Sequence, residues 1–563
     1  MHDLAIVNVQ LYDGSKQASR RGALAVRDGY IIEVGAQVGP ARETIDAEGL
    51  ALAPGIIDTH THYDAQITWD RTLDPSSRLG VTTVVIGNCG FTIAPCRPAD
   101  RDRTLRNLTK VEGMPLEALR EGTRWDFESV PQYLDMIEAI KPSINVAAFV
   151  GHSALRVWAL GDEASQRPAT GKEVEAMQRV LREAMRAGCI GLASSTLASH
   201  SGDEGVPMPS RLADEREFRA LVGVLGELGH GVFMLTQGVN LPVSDTALLE
   251  EMSASTGVPI MIAAMLHSEA FPQRVFERLD RLTQAQQRGA KLYGQTSCCP
   301  LTFEFSMASP YVLEGMTAWK PALEASGEAL KDLYRSDAFR QTVRDELSRP
   351  AIGRMFNNQW DRTVIAEVVD PKNRALEGRT IESVAREAGQ APLDWLFDFS
   401  LSENLGTQFT IQVMNFDAEA LARVLRHPNG HIALSDAGAH LSFLCDAGFG
   451  LHLLGHWARD LKAMPLEEAV WQLSGRAAEI YGIKDRGRLL PGFAADLLLF
   501  DPARVGRTAN FRINDLPGGL PRQSSAPIGV RGVWVNGVRI LRDDEALAQE
   551  RGSGRLLRDF ANY

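Results

Sequence analysis

The sequence predicts an α/β protein: a (β/α)8 TIM-like barrel with a small β-sandwich domain built from both chain ends. Three observations predict it. Eight apolar runs rich in Val, Ile, Leu and Ala recur along the chain with helical stretches between them, as a parallel sheet buried on both faces requires. Polar or reactive residues stand at the C-terminal ends of those runs, the end at which barrels of this kind carry their sites. Short β patterns occupy both ends of the chain, those of the N-terminal end with Asp-Gly pairs that suit tight turns.

In chain order, residues 1–53 hold the first β patterns, "LAIVNVQLYDG" and "ALAVRDGYIIEVG". A similar texture returns in "AADLLLFDP" and "IGVRGVWVNGVRIL", and chain ends that lie close together can pair into one small domain. The eight barrel runs are "LALAPGIIDTHTH", "VTTVVIGNCG", "INVAAFVGHSALR", "GCIGLASSTLASH", "GVFMLTQG", "VPIMIAAMLHSEA", "AKLYGQTSCC" and "HIALSDAGAH", with helices such as 171–187 and 275–289 between them. Residues 301–425 fit no single strand-to-helix connection and read as an insertion after the seventh strand, suited to a lid or substrate wall. The expected division is 1–53 for the N-terminal part of the sandwich, 54–480 for the barrel with its 301–425 insertion, and 481–563 for the C-terminal part and tail.

At 563 residues the chain exceeds the roughly 250–300 at which one core stops growing, so a large domain with a smaller one is expected. The composition, 44% hydrophobic, 23% charged and 7% aromatic, is that of an ordinary globular protein. A net charge of −12 gives no electrostatic footprint for nucleic acid or an anionic membrane. No apolar run reaches the length of about 18 residues that a membrane span needs, and the N-terminus lacks the pattern of a secretory leader. The expected setting is cytoplasmic, with a small-molecule substrate, no nucleic-acid or membrane partner, and scope for a homo-oligomer. Six cysteines in so long a chain make no disulfide framework, and a reducing compartment keeps them as thiols.

The chemistry begins in "PGIIDTHTHYD", where His60 and His62 close an apolar run one residue apart. A strand turns residues i and i+2 to one face, roughly 6.6 Å apart, so both imidazoles can converge on one ion. The rival reading has one ring at a strand end and the other in solvent. Cys89 in "GNCG" offers a thiolate or a small buried core residue; Asp436 in "SDAG" offers a carboxylate or a turn aspartate. His152 and Arg156 in "GHSALR", His267 in "LHSEA" and His440 in "AGAH" are candidates for substrate contact or for support of the ligands, each with a structural reading beside it. His200, with Asp203 and Glu204, reads as a solvated loop, and Cys298 and Cys299 as structural.

Taken together, "APGIIDTHTHYD", "GVTTVVIGNCGFTIAP", "GHSALR", "SDAGAH" and the closing "GRLLPGFAADLLLFDP" with "VNG" resemble the amidohydrolase superfamily, and within it the N-acyl-D-amino-acid deacylase (D-aminoacylase) branch. The resemblance covers nearly the whole chain. It implies zinc held by the histidines of HxH and the eighth-strand aspartate, with the second-strand cysteine where other members carry a carboxylated lysine. That pattern falls on His60, His62, Cys89 and Asp436, with Asp436 also the catalytic proton carrier. The branch's further histidines on the fifth and sixth strands are not matched: Thr236 and Gln237 stand at the fifth, and His267 lies about three residues beyond the aligned place on the sixth. One zinc is therefore expected rather than two. "HSEA" and "QTSCCP" also replace the branch's lysine- and tyrosine-bearing segments, so a free D-amino-acid carboxylate is not carried over as the specificity.

The implied activity is hydrolysis of a linear amide, an N-acyl amino acid or related N-acyl amine, by a zinc-bound hydroxide. The alternatives are a cyclic-amide hydrolase of the hydantoinase or dihydroorotase kind, a metal-dependent lyase or decarboxylase, and a barrel that binds without catalysis. Trp319, Trp360 and Trp395 in the insertion lean the expected substrate towards a hydrophobic or aromatic amide.

Overall fold

Continuous apolar runs become strands only where both faces can be covered, and here they are. In the computed structural model the eight runs form the strands Ile56–Asp58, Val81–Ile86, Asn145–Gly151, Gly191–Ser195, Val232–Thr236, Ile260–Ala263, Leu292–Thr296 and Gly430–Ile432, and every residue in them except Tyr293 is buried. The structure describes residues 1–563 apart from 203–204, 240, 440–444 and 549–550, together with all side chains but that of residue 110 within the helices and strands. The eight strands pair in chain order and all in parallel. Beyond its ends the sheet meets itself: Thr61 bridges Ala437 in parallel, and the His62 N–H donates to the Ala437 carbonyl at 2.7 Å. The barrel thus closes beside the two histidines and Asp436.

The helices between the strands begin and end where local chemistry dictates. Gly171–Ala187 opens on a capping box, with Thr170 accepting from the Glu173 N–H and Glu173 reaching back to Thr170. It ends at Gly188 in the left-handed region. Glu215–Leu228 is capped by Asp214, and Thr246–Thr256 by Asp245. No helix among the described residues is long and apolar enough to cross a membrane.

Both chain ends contribute to one nine-stranded sheet. Its N-terminal strands are His2–Leu11, Arg20–Arg27, Tyr30–Gly35, Ala41–Asp46 and Ala51–Pro54; its C-terminal strands are Leu497–Phe500, Val530–Val535, Val538–Arg542 and Glu545–Ala546. The two sets join where Ala51–Pro54 runs antiparallel to Leu497–Phe500. Two hairpins turn on Asp28-Gly29 (φ +55° and +83°) and Asn536-Gly537 (φ +48° and +81°), the pair of positive φ angles a type I′ turn needs. Ile6, Leu24, Val26, Leu52, Leu497, Leu499 and Trp534 fill the core of this sheet.

A second compact unit comprises Leu266–Phe276 and Cys299–Leu421. It takes in most of the expected insertion and, in addition, a segment from beyond the sixth strand. Its sheet sets Gln408–Met414 between Leu301–Phe305 and Thr363–Glu367, both antiparallel to it. Trp319 packs among Tyr334, Phe339 and Phe397 in the core of this unit, Trp395 stacks on Phe399, and half-buried Trp360 packs on Phe356. All three rings are engaged in packing within this unit. All six cysteines are buried thiols.

Candidate metal centre

His60 and His62 follow the end of the first strand, on either side of the Thr61 bridge, and their rings stand 5.2 Å apart between centroids. The second strand ends in a tight turn over Asn88–Gly90 that holds Cys89 at φ +56°. The eighth strand runs into a turn that holds Asp436 at φ +50°. Left-handed backbone at two non-glycine residues costs on the order of 1–3 kcal/mol each, which the surrounding structure must offset. The structure brings these residues together: one ligand atom from each of His60, His62 and Cys89 lies within 4.8 Å of the others, the one such group among the described residues. Asp436 Oδ1 lies 3.2 Å from His60 Nε2 and 3.5 Å from His62 Nε2.

Each of these groups is backed by another, and sequence reasoning missed the partners. His60 Nδ1 meets Gln295 Oε1 at 2.6 Å, so Nδ1 carries the proton and Nε2 is left with its lone pair towards Cys89 and Asp436. Cys89 Sγ lies 3.0 Å from the hydroxyl of Thr236, on the fifth strand. His62 Nδ1 faces Glu112 Oε1 at 3.2 Å. Below the turn, Ser435 Oγ donates to Asp58 Oδ2 at 2.5 Å and accepts the Ala437 N–H, tying the first strand to the Asp436 turn.

The electrostatics are those of a cation site. Burial pushes the Cys89 thiol up, but the adjacent imidazoles of His60 and His62 outweigh it and hold the thiol below its ordinary value. Burial likewise disfavours protonated His62, yet the Glu112 and Asp436 carboxylates and Cys89 carry it well above the usual imidazole value. Two carboxylates and a thiol thus surround two imidazoles in a desolvated pocket, and a divalent cation satisfies such a set. Side-chain exposure sets the aspartate apart: His60 and His62 are 2% and 5% exposed and Asp436 is 19%, so the aspartate is the more open to solvent.

The other candidates have partners of their own. His152 is fully buried, with Nδ1 on Ser194 Oγ at 2.8 Å and Nε2 on Glu217 Oε1 at 2.7 Å; Arg156 Nη1 donates to Glu217 Oε2 at 2.5 Å. These two residues form a satisfied buried network around Glu217. His267 belongs to the second unit, where its N–H donates to Asn415 Oδ1 at 2.8 Å and its carbonyl accepts the Asn415 N–H at 2.9 Å. His200 packs on Phe91 and meets Ser195 Oγ at 2.7 Å. His440, with Asp203 and Glu204, lies outside the described residues.

Known proteins share this arrangement of sequence and fold. An uncharacterized protein of Mycobacterium tuberculosis is 30% identical over 548 residues, covering 90% of this chain and 86% of its own. The D-aminoacylase of Alcaligenes xylosoxydans xylosoxydans is 29% identical over 558 residues, covering 98% and 96%. A solved D-aminoacylase structure superposes with a TM-score of 0.67 at 25% identity, covering 99% of this chain and 100% of the other; its binuclear metal centre is described in terms of one-metal activation and second-metal attenuation. Residues 43–335 and 349–541 match the Amidohydrolase family, and with so much of its length matched this chain belongs to that family.

Proposed function

We propose that the chain hydrolyses the amide of an N-acyl amino acid or related N-acyl amine, with one zinc ion held by His60, His62, Cys89 and Asp436. It is a hydrolase of carbon–nitrogen bonds other than peptide bonds, as its deacylase relatives are. The observation that carries the reading is the convergence of two Nε2 atoms, one Sγ and one carboxylate oxygen from three distant strands. Imidazole, thiolate and carboxylate are all good zinc donors. The donor set fits the ion on this structure's own terms, since both Nδ1 atoms already face acceptors and the Nε2 atoms are left to bind.

When bound, zinc would supply Lewis acidity at a carbonyl and lower the pKa of a water towards about 7. The remaining work falls to the chain. Gln295 holds His60 in the tautomer that presents Nε2. Thr236 donates to Cys89 Sγ and so stabilises the thiolate. Asp436, half-open where the other groups are buried, accepts the proton of the attacking water at its carboxylate and returns it to the departing amine, a contribution of roughly 10² to 10⁴ in rate. Thr236 in the place of a fifth-strand histidine supports a single ion, a state in which the solved D-aminoacylase is described as active.

The test is metal content of the purified protein together with amine release from a panel of N-acyl amino acids, uncharged amides and hydantoins. About one ion per chain, amine release from linear amides, and loss of turnover on chelation are expected. Ring opening alone would favour the cyclic-amide reading, a carbon–carbon cleavage product the lyase reading, and absence of any bound ion a barrel without catalysis.

A further inference from the structure

The two imidazoles of the centre are supported unequally. His60 leans on a neutral amide, Gln295, which is itself anchored by donating to Thr59 Oγ1 at 3.3 Å. His62 leans on a carboxylate. Glu112 enters at the C-terminal end of the helix Arg101–Val111, and its side chain is 3% exposed. Both of its carboxylate oxygens are buried without a hydrogen-bond partner among the described residues, and so is His62 Nδ1, although that nitrogen and Oε1 stand 3.2 Å apart. They are within ion-pair range without the alignment of a hydrogen bond.

A buried carboxylate left without donors is costly. A second buried carboxyl, Asp64, interacts electrostatically with Glu112; its Oδ2 takes the Gly87 N–H at 2.8 Å while Oδ1 has no partner among the described residues. Among the described residues, His62 Nδ1 is the donor that faces Glu112. A small rotation of either group gives a charge-assisted hydrogen bond, which fixes the proton on Nδ1, leaves Nε2 to the ion and strengthens the imidazole as a donor.

Resting on the reading of this pocket as a cation site, we propose that Glu112 is a positioning residue that sets how tightly the centre holds its metal, acting through His62. Nothing in the sequence marks it: it lies far along the chain from "HTH", at the end of a helix whose charged residues are mostly basic.

The experiment is competition for Zn2+ between a chelator and the full-length protein, as wild type, Glu112→Gln, His62→Ala and the double variant, with metal-free melting curves recorded alongside. Glu112→Gln should bind Zn2+ about 10- to 100-fold more weakly, and should add nothing further once His62 is alanine. Wild-type affinity in Glu112→Gln, or a loss that persists undiminished in the His62→Ala background, overturns the proposal. If wild type takes up no Zn2+, Co2+ or Mn2+, the cation-site reading itself falls and the role of Glu112 with it. Should Glu112→Gln fail to fold, unmutated protein with nitrogen-labelled histidine decides: zinc-loaded His62 is expected to be protonated at Nδ1, and protonation at Nε2 overturns the proposal.

Discussion

Replacing Gly438 by alanine tests whether the closure of the barrel positions the metal centre. Gly438 stands at φ +89°, one residue beyond the bridge between Thr61 and Ala437. A Cβ on it would lie 2.7 Å from the His62 carbonyl carbon and 2.8 Å from both the His62 oxygen and the Tyr63 nitrogen. All three are backbone atoms, so no side chain can rotate aside. An unstrained carbon–carbon contact needs about 3.5 Å, and the strands must therefore part by about 0.8 Å. A left-handed conformation at alanine adds about 1–2 kcal/mol. His62 and Asp436 lie on opposite sides of this contact, with Nε2 and Oδ1 only 3.5 Å apart. A shift approaching 1 Å at a ligand's backbone should lower turnover by about 100-fold and weaken metal retention. The control is Gly161→Ala: Gly161 has φ +59° and a Cβ added there would meet nothing within 4 Å, so it should show the backbone penalty alone. Turnover, metal content and melting temperature of both variants are the measurements. Gly438→Ala with the control's behaviour, normal turnover and normal metal content, would refute the coupling of closure to the site.

Three further outcomes are expected. Asp436→Asn should keep much of its metal yet lose roughly 10² to 10⁴ in turnover, since the amide cannot carry the proton; near-normal amine release from that variant removes Asp436 from its assigned role. His431 is fully buried beside the Thr59 hydroxyl at 2.9 Å, and burial, with Arg476 adding to it, pushes its pKa down to about 3. The unfolded chain then binds the extra proton between pH 3 and about 6.5, so stability rises with pH across that window and each unit of acidification costs up to about 1.4 kcal/mol; urea unfolding of wild type and His431→Gln should diverge in pH slope there, and equal slopes would count against a neutral buried ring. Trp319→Ala empties the centre of the second unit's aromatic core and should cost that unit about 3–5 kcal/mol, read as earlier proteolysis within 299–421; an unchanged cleavage profile would show that the ring is dispensable there.

Much of the fold could be read locally because its causes are local. The run "VTTVVIG" is too apolar for a strand with a wet face, and it lies within a sheet covered on both sides. "DG" and "NG" call for φ above zero at two successive residues, which both hairpins supply. The insertion was less legible: its core shows no period that announces Leu266–Phe276 as part of the same unit, because that membership arises from packing between segments distant in sequence. The same holds for the tryptophans, whose large apolar area looks equally suited to a substrate wall until Tyr334, Phe339 and Phe397 are seen around Trp319.

By itself the sequence determined that two imidazoles follow one apolar run with a single residue between them, a spacing that lets both rings reach one point. It also supplied a thiol and a carboxylate at the ends of two other apolar runs. Only the tertiary structure decided that these meet, that Gln295, 235 positions from His60, holds its far nitrogen, that Thr236 touches the sulfur, and that Glu112 faces His62. Such contacts depend on strand order, register and closure of the barrel, which no short window of residues encodes. The same folding withdrew His152 and Arg156 into a network around Glu217, since burial obliges polar groups to find partners wherever packing puts them.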